Sequence, residues 1–139
     1  MTTTNWTTTT WTATWAPRML SVLRIMAGLL FMAHGTQKLF GFPDVADAAG
    51  GSLPPLMLLG GIIELVGGAL IALGFFTRIA AFVASGMMAA AYFMAHAPQS
   101  FWPNLNGGDA AILYCFVFLY FVVAGPGEWG VDAQRETRA

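Results

Sequence analysis

The sequence predicts an all-α membrane protein: four transmembrane helices in an up-down-up-down bundle, with the N and C termini cytoplasmic. Three observations predict it. Of the 139 residues, 57% are hydrophobic and 9% are charged, where a soluble domain carries roughly 25% charged residues. Four apolar segments, residues 19–40, 53–76, 79–97 and 109–125, are each near the roughly 17–25 residues that cross a bilayer core. Between them stand runs of helix breakers: GFPDVADAAGGSLPP, GFFTR and PQSFWPNLNGG.

Residues 1–17, MTTTNWTTTTWTATWAP, are rich in threonine and carry no apolar stripe, which predicts a flexible tail. Trp6, Trp11 and Trp15 suit the headgroup layer. The stretch lacks the charged start and apolar centre of a secretory signal. Pro17 fits the first turn of a helix. Residues 18–125 then form one transmembrane domain, and residues 126–139 a polar tail. The fourth segment, AAILYCFVFLYFVVAG, is the shortest and the most apolar. Short connections place consecutive helices antiparallel, with both termini on one side. Arg18, Arg78, Arg135 and Arg138 fall on that side and Lys38 alone on the other, so positive charge assigns the termini to the cytoplasm.

Composition and motifs exclude several classes. No basic block is present for nucleic acid. Cys115 is the single cysteine, lies in an apolar run and reads as packing. There is no GxGxxG, phosphate-binding loop, HExxH or paired-cysteine zinc spacing. The two histidines and the carboxylates have no diagnostic metal spacing, and no metal is assigned.

The polar residues inside the apolar segments carry the functional signal. Glu64, in GGIIELVGG, is the only charge within residues 53–76. A charge at the bilayer centre costs about 2.5–3.5 kcal/mol on insertion scales. Gly60, Glu64 and Gly68 recur every fourth residue, and small residues let a neighbouring helix approach, so the carboxylate is expected to point at protein. On the first helix, Arg24, Ala27, Phe31, His34 and Lys38 recur at alternating intervals of three and four, the seam spacing of a helix pair. An antiparallel pairing sets Glu64 level with about Leu30, roughly 6–9 Å along the axis from Arg24 and from His34. Both are candidate partners, and a purely structural Glu64–Arg24 bridge is one form of the pairing. On the third helix Ser85, Ala89, Tyr92 and His96 share a stripe. The following loop brings Asn104, Asn106 and Asp109 to the start of the fourth, where negative charge is favoured. Simpler readings stand beside these: Arg24 and Lys38 reaching headgroups, Asp109 capping its helix, and His96 packing at the interface.

LRIMAGLLFMAHGTQKLFGF, GGIIELVGGALIALGFFTRIAA and NGGDAAILY, in that order, resemble the DoxX family of small bacterial membrane proteins. The resemblance covers about residues 20–125. It matches Arg24, His34-Gly35 and Lys38 on the first helix, Glu64 within glycines on the second, and Arg78 after it. The family pattern asparagine-glycine-x-glutamate appears here as NGGD, so Asp109 is one methylene shorter. The resemblance implies a four-helix bundle in the bacterial inner membrane. It also implies an association with quinol oxidation and with membrane oxidoreductase complexes.

Three functions fit these residues. In a redox-linked subunit, a quinone would be the cofactor and a soluble or membrane oxidoreductase the partner. Glu64, Arg24 and His34 are then the catalytic candidates, and His34, Lys38, Tyr92, His96, Asn106 and Asp109 the cofactor-binding ones. A small proton-coupled carrier would use the same buried Glu, Arg and His, as a homo-oligomer because four helices are few for alternating access. A scaffold would use buried polar groups only to fix helix register. The resemblance favours the first.

Overall fold

The computed structural model describes residues 10–43 and 53–137. Residues 1–9 of the expected tail, loop residues 44–52 and Arg138 lie outside the described residues. Helix α1 (Thr10–Phe40) is 31 residues long, about 46 Å at 1.5 Å per residue. It corrects the expected tail from Thr10 onward: the threonine-rich stretch is helical, with Pro17 inside the helix. Local contacts support it. Trp11 and Trp15, one turn apart, lie 6.4 Å between ring centroids, and the Arg18 guanidinium sits 5.5 Å over the Trp15 ring.

Helix α2 (Pro55–Leu73) starts with proline in its first turn. A π-helical turn over Ile63–Gly67 interrupts it. It ends at Gly74, whose φ of 71° is the left-handed conformation that closes a helix C-terminus. Helix α3 (Thr77–His96) also finishes in a π-helical turn, Tyr92–His96. A short α4 (Pro103–Asn106), then α5 (Asp109–Ala124) and α6 (Val131–Glu136) complete the order. No strand occurs among the described residues. Helices α1, α2 and α3 are long and apolar enough to cross a membrane; α5, with 16 residues, is a shorter apolar helix.

The helices pack as two antiparallel pairs, α1 with α2 and α3 with α5. In the first pair the backbones touch. A Cβ added to Gly28 would lie 2.6 Å from Ala72 N, one on Gly68 would lie 2.7 Å from Met32 N, and one on Gly35 would lie 2.5 Å from Leu65 N. Gly28 thus faces Gly68, and Gly35 faces Gly61, with a seven-residue interval on each helix, the period of a left-handed crossing. In the second pair, Ser85 Oγ donates to the Cys115 carbonyl at 2.8 Å, and Arg78 Nη1 donates to the carbonyls of Val122 and Val123. Phe31, Ile71, Phe118 and Phe121, all fully buried, join the two pairs. Phe31 meets Phe118 edge-on at 4.8 Å.

The end nearer residues 10 and 137 is locked, and the polar segment 126–136 packs against it. Arg24 Nε donates to the Pro126 carbonyl, Ser21 Oγ accepts from Trp129 N, and Asp132 N donates to the Gly74 carbonyl. The Asp132 carboxylate accepts from the backbone N–H groups of Phe76 and Thr77 and from Thr77 Oγ1, at 2.9–3.0 Å. It therefore caps α3 from a distant part of the chain and holds Phe76 at its positive φ of 47°. Partial burial pushes the Asp132 carboxyl upward. The hydrogen bonds from Thr77 and Phe76 and the Arg135 charge outweigh it, so the group rests below the ordinary carboxylate range.

Gly68→Ala must move backbone or side chain and is expected to cost about 1–3 kcal/mol of stability. Gly86→Ala, which meets nothing within 4 Å, is expected to stabilise α3 by about 0.5–1 kcal/mol. Thermal unfolding in detergent checks both. Because the folded Asp132 pKa is depressed, its contribution is complete above the unfolded carboxylate value of about 4 and fades as pH falls through the folded value. Asp132→Asn should cost about 1 kcal/mol at neutral pH. The gap between the variant and the wild type should narrow in melts at about pH 3.

Candidate functional site

The register that the paired glycines impose sets Glu64 level with Met32 of α1. Glu64 lies on the π-helical turn of α2 and is 3% exposed. Its Oε1 accepts from Lys38 Nζ at 2.5 Å. Its Oε2 is buried with no hydrogen-bond partner. The expected pairing with Arg24 is therefore corrected: Lys38, from the last turn of α1, is the ion-pair partner. Register is the reason. Arg24 sits about 12 Å along the axis from the level of Glu64, and its fully buried guanidinium turns the other way. It donates to the carbonyls of Ile71 and Ala72, which end α2, and of Pro126. Arg24 thus caps a helix C-terminus and anchors the C-terminal segment.

His34 is close to Glu64 in depth but is not in the seam. Gly35 occupies the contact with α2, which turns His34 onto the exposed flank of α1. There its ring stands edge-on to Tyr114 of α5 at 6.2 Å between centroids. Tyr114 packs on Phe31 and Phe118 and lies within electrostatic reach of Glu64. Sequence reasoning passed over Tyr114. Its only signal was one of two tyrosine hydroxyls within YCFVFLYF, indistinguishable there from the lipid-facing Tyr120.

On the other side of Glu64 a cavity of about 460 Å³ opens between the halves of α2 and α3 nearer the loops. Call this the loop end, as opposed to the end that carries the termini. Lys38, Glu64 and His96 are the polar residues of its wall. Both π-helical turns contribute, through Ile63 and Glu64 on α2 and Met94 to His96 on α3. Such turns add a residue to the helix repeat and re-aim side chains, often at functional sites. Met57, Met87, Met88 and Met94, all the methionines that follow α1, line it as well. Thioether side chains are flexible and polarizable and adapt to irregular apolar or aromatic guests. The methionine cluster was also missed in the sequence, because its members fall on two helices whose register the sequence does not state.

The loop before α5 positions His96. Asn106, 5% exposed, donates from Nδ2 to the Ser100 carbonyl and accepts Gly108 N at Oδ1. Its backbone carbonyl lies 2.9 Å from His96 Nδ1. A carbonyl only accepts, so Nδ1 carries a proton and Nε2 is the ring nitrogen left for a guest. Tyr92 stacks beside His96 at 6.5 Å and fits against Gly108, where a Cβ would meet its ring at 2.7 Å. Asp109 is exposed and accepts Ala110 N at the start of α5. The cavity wall therefore brings together Glu64, Lys38 and His96. Asn106 and Tyr92 support His96 from behind, and Arg24, His34 and Asp109 stand elsewhere. No cluster of three or more His, Cys, Asp or Glu side chains suited to a metal occurs among the described residues.

The family model for DoxX matches residues 19–97. An uncharacterized protein of Haemophilus influenzae is 43% identical over 120 residues, spanning 84% of this chain and 90% of the relative. An uncharacterized membrane protein of Mycobacterium tuberculosis is 28% identical over 141 residues, spanning 88% of this chain and 85% of the relative. No solved structure matches the chain. The match takes in the segment that carries Arg24, His34, Lys38, Glu64 and His96: the protein belongs to the DoxX family and is a membrane protein.

Proposed function

We propose that the cavity between α2 and α3 is a quinone site entered from the bilayer, in a redox-linked subunit of the bacterial inner membrane. In this reading all four long helices cross the membrane alternately, with the termini cytoplasmic. Arg18, Arg78 and Arg135 then lie at the cytoplasmic face and Lys38 at the outer one. The observation that carries the reading is Glu64, whose Oε2 is buried without a hydrogen-bond partner, in the wall of a cavity that is apolar apart from Lys38 and His96. A buried acceptor left unpaired costs about 1–3 kcal/mol, and a guest with a hydroxyl or proton to offer removes that cost.

The residues present fit a quinone. When bound it would supply a two-electron, two-proton couple, with a partner oxidoreductase exchanging the electrons. The chain's own groups do the rest. Lys38 fixes the carboxylate through Oε1 and offers further N–H donors to a ring oxygen. Glu64 Oε2 is the atom placed to take up or return a proton. His96 Nε2 is a second hydrogen-bonding atom, held in orientation by the Asn106 carbonyl. Leu56, Met57, Leu59 and Met94, exposed on the helix surfaces, form an apolar mouth through which a lipid tail can leave.

Quinone per chain, measured by mass spectrometry on protein extracted gently from native membrane, tests the reading. Wild type is expected to retain quinone. Glu64→Gln should lose about ten- to a hundredfold in affinity, as expected for one charge-assisted hydrogen bond of about 1.5–3 kcal/mol. Ala91→Trp, which fills the cavity, should abolish retention. A folded wild type without quinone, whose Glu64 nevertheless controls a proton flux in vesicles, would assign the site to a carrier instead.

A further inference from the structure

The fully buried side chains are distributed unevenly about Glu64. Arg24, Ile71, Thr77, Phe118 and Phe121 are fully buried and all lie toward the terminal end, with buried Phe31 level with the carboxylate. Toward the loop end the packing is open. The Lys38 side chain is 34% exposed, His34 is exposed, and the half-buried His96 lines the cavity at this end.

The groups facing Glu64 repeat this asymmetry. Helix α1 presents Lys38, with His34 on its flank, and α5 presents Tyr114. Helix α3 presents the thioethers of Met87 and Met88 and, at its loop end, His96 as its one ionisable group in the cavity wall. Toward the terminal end the next buried titratable side chain is Arg24, beyond the layer of Ile71, Phe118 and Phe121. An arginine stays protonated and does not relay. Its fixed charge in a dry layer repels a migrating proton, the device by which channels exclude protons. The two carbonyls at the end of α2 and that of Pro126 hold the charge in place.

We propose that Glu64 exchanges its proton with the loop side of the bundle alone, and that Arg24 and the aromatic layer beneath Glu64 form the barrier to the terminal side. In the membrane orientation given above, protons taken up by Glu64 are then released outward. The inference uses that orientation and does not depend on which guest fills the cavity.

The test uses the full chain in vesicles, with orientation assigned by protease access to the C-terminal segment and the pH of bath and lumen clamped separately. Infrared difference spectra record the carboxylic C=O band of Glu64, identified by its absence in Glu64→Gln. The expected result is a band that follows pH on the loop side, with no response to pH on the terminal side. Arg24→Gln is expected to add a response to the terminal side. If that variant fails to fold, Phe118→Ala thins the same layer and should do the same. A wild-type band that follows the terminal side, both sides or neither overturns the proposal, as does a barrier that neither variant opens. The measurement needs no quinone, so an empty cavity would sink the quinone reading and leave this one standing.

Discussion

The centre of this bundle depends on how closely the backbones of α1 and α2 approach. Gly28 against Gly68 and Gly35 against Gly61 leave no room for a Cβ, and that contact fixes the register of the pair to the residue. Register then decides the electrostatics. It sets Glu64 beside Met32, brings Lys38 within reach of one carboxylate oxygen, and carries Arg24 two turns beyond reach. A slip of one heptad along the glycine seam would exchange these partners. A charge inside a membrane demands a partner, so the glycines select which cation provides it.

Arg24 and Lys38, both on α1, consequently have different tasks. Arg24 spends its hydrogen bonds on backbone carbonyls and ties α1 to the end of α2 and to the C-terminal segment. Asp132 reinforces the same end by capping α3. That half of the molecule is a fastened base. Lys38 stands where the packing loosens, half in the cavity wall and half on Glu64. The π-helical turns of α2 and α3 lie in this looser half. A rigid base beneath an open cavity is the arrangement expected of a site that admits guests from one direction.

Much of this was legible in the sequence, for identifiable reasons. Apolar segments and their breakers mark the helices, because spanning length and helix-ending residues are local properties. Glu64 stands out because it is alone among apolar residues. The glycines announce a close contact, although Gly61 and Gly68, not Gly60, make it. What was illegible depends on register and on distance along the chain. His34 shares the seam interval on paper, yet Gly35 takes the contact and leaves the histidine on the flank. Lys38 and Arg24 exchange roles for the same reason. Asp132, in a stretch that reads as polar tail, is recruited by the free N–H groups of a helix more than fifty residues earlier. The helical start at Thr10 rests on side-chain contacts of Trp11, Trp15 and Arg18 that composition does not reveal.

Lys38 is the only lysine of the chain, so a sample labelled with 15N lysine and 13C glutamate gives one ammonium signal in solid-state NMR. Dipolar dephasing of that Nζ by the carboxyl carbon of Glu64, in lipid, tests the central pairing most directly. Strong dephasing in the wild type that disappears in Glu64→Gln is the predicted result. An ammonium signal that is not dephased in the wild type would contradict the account, because Glu64 would then be held by another group and the register inferred from the glycines would be wrong.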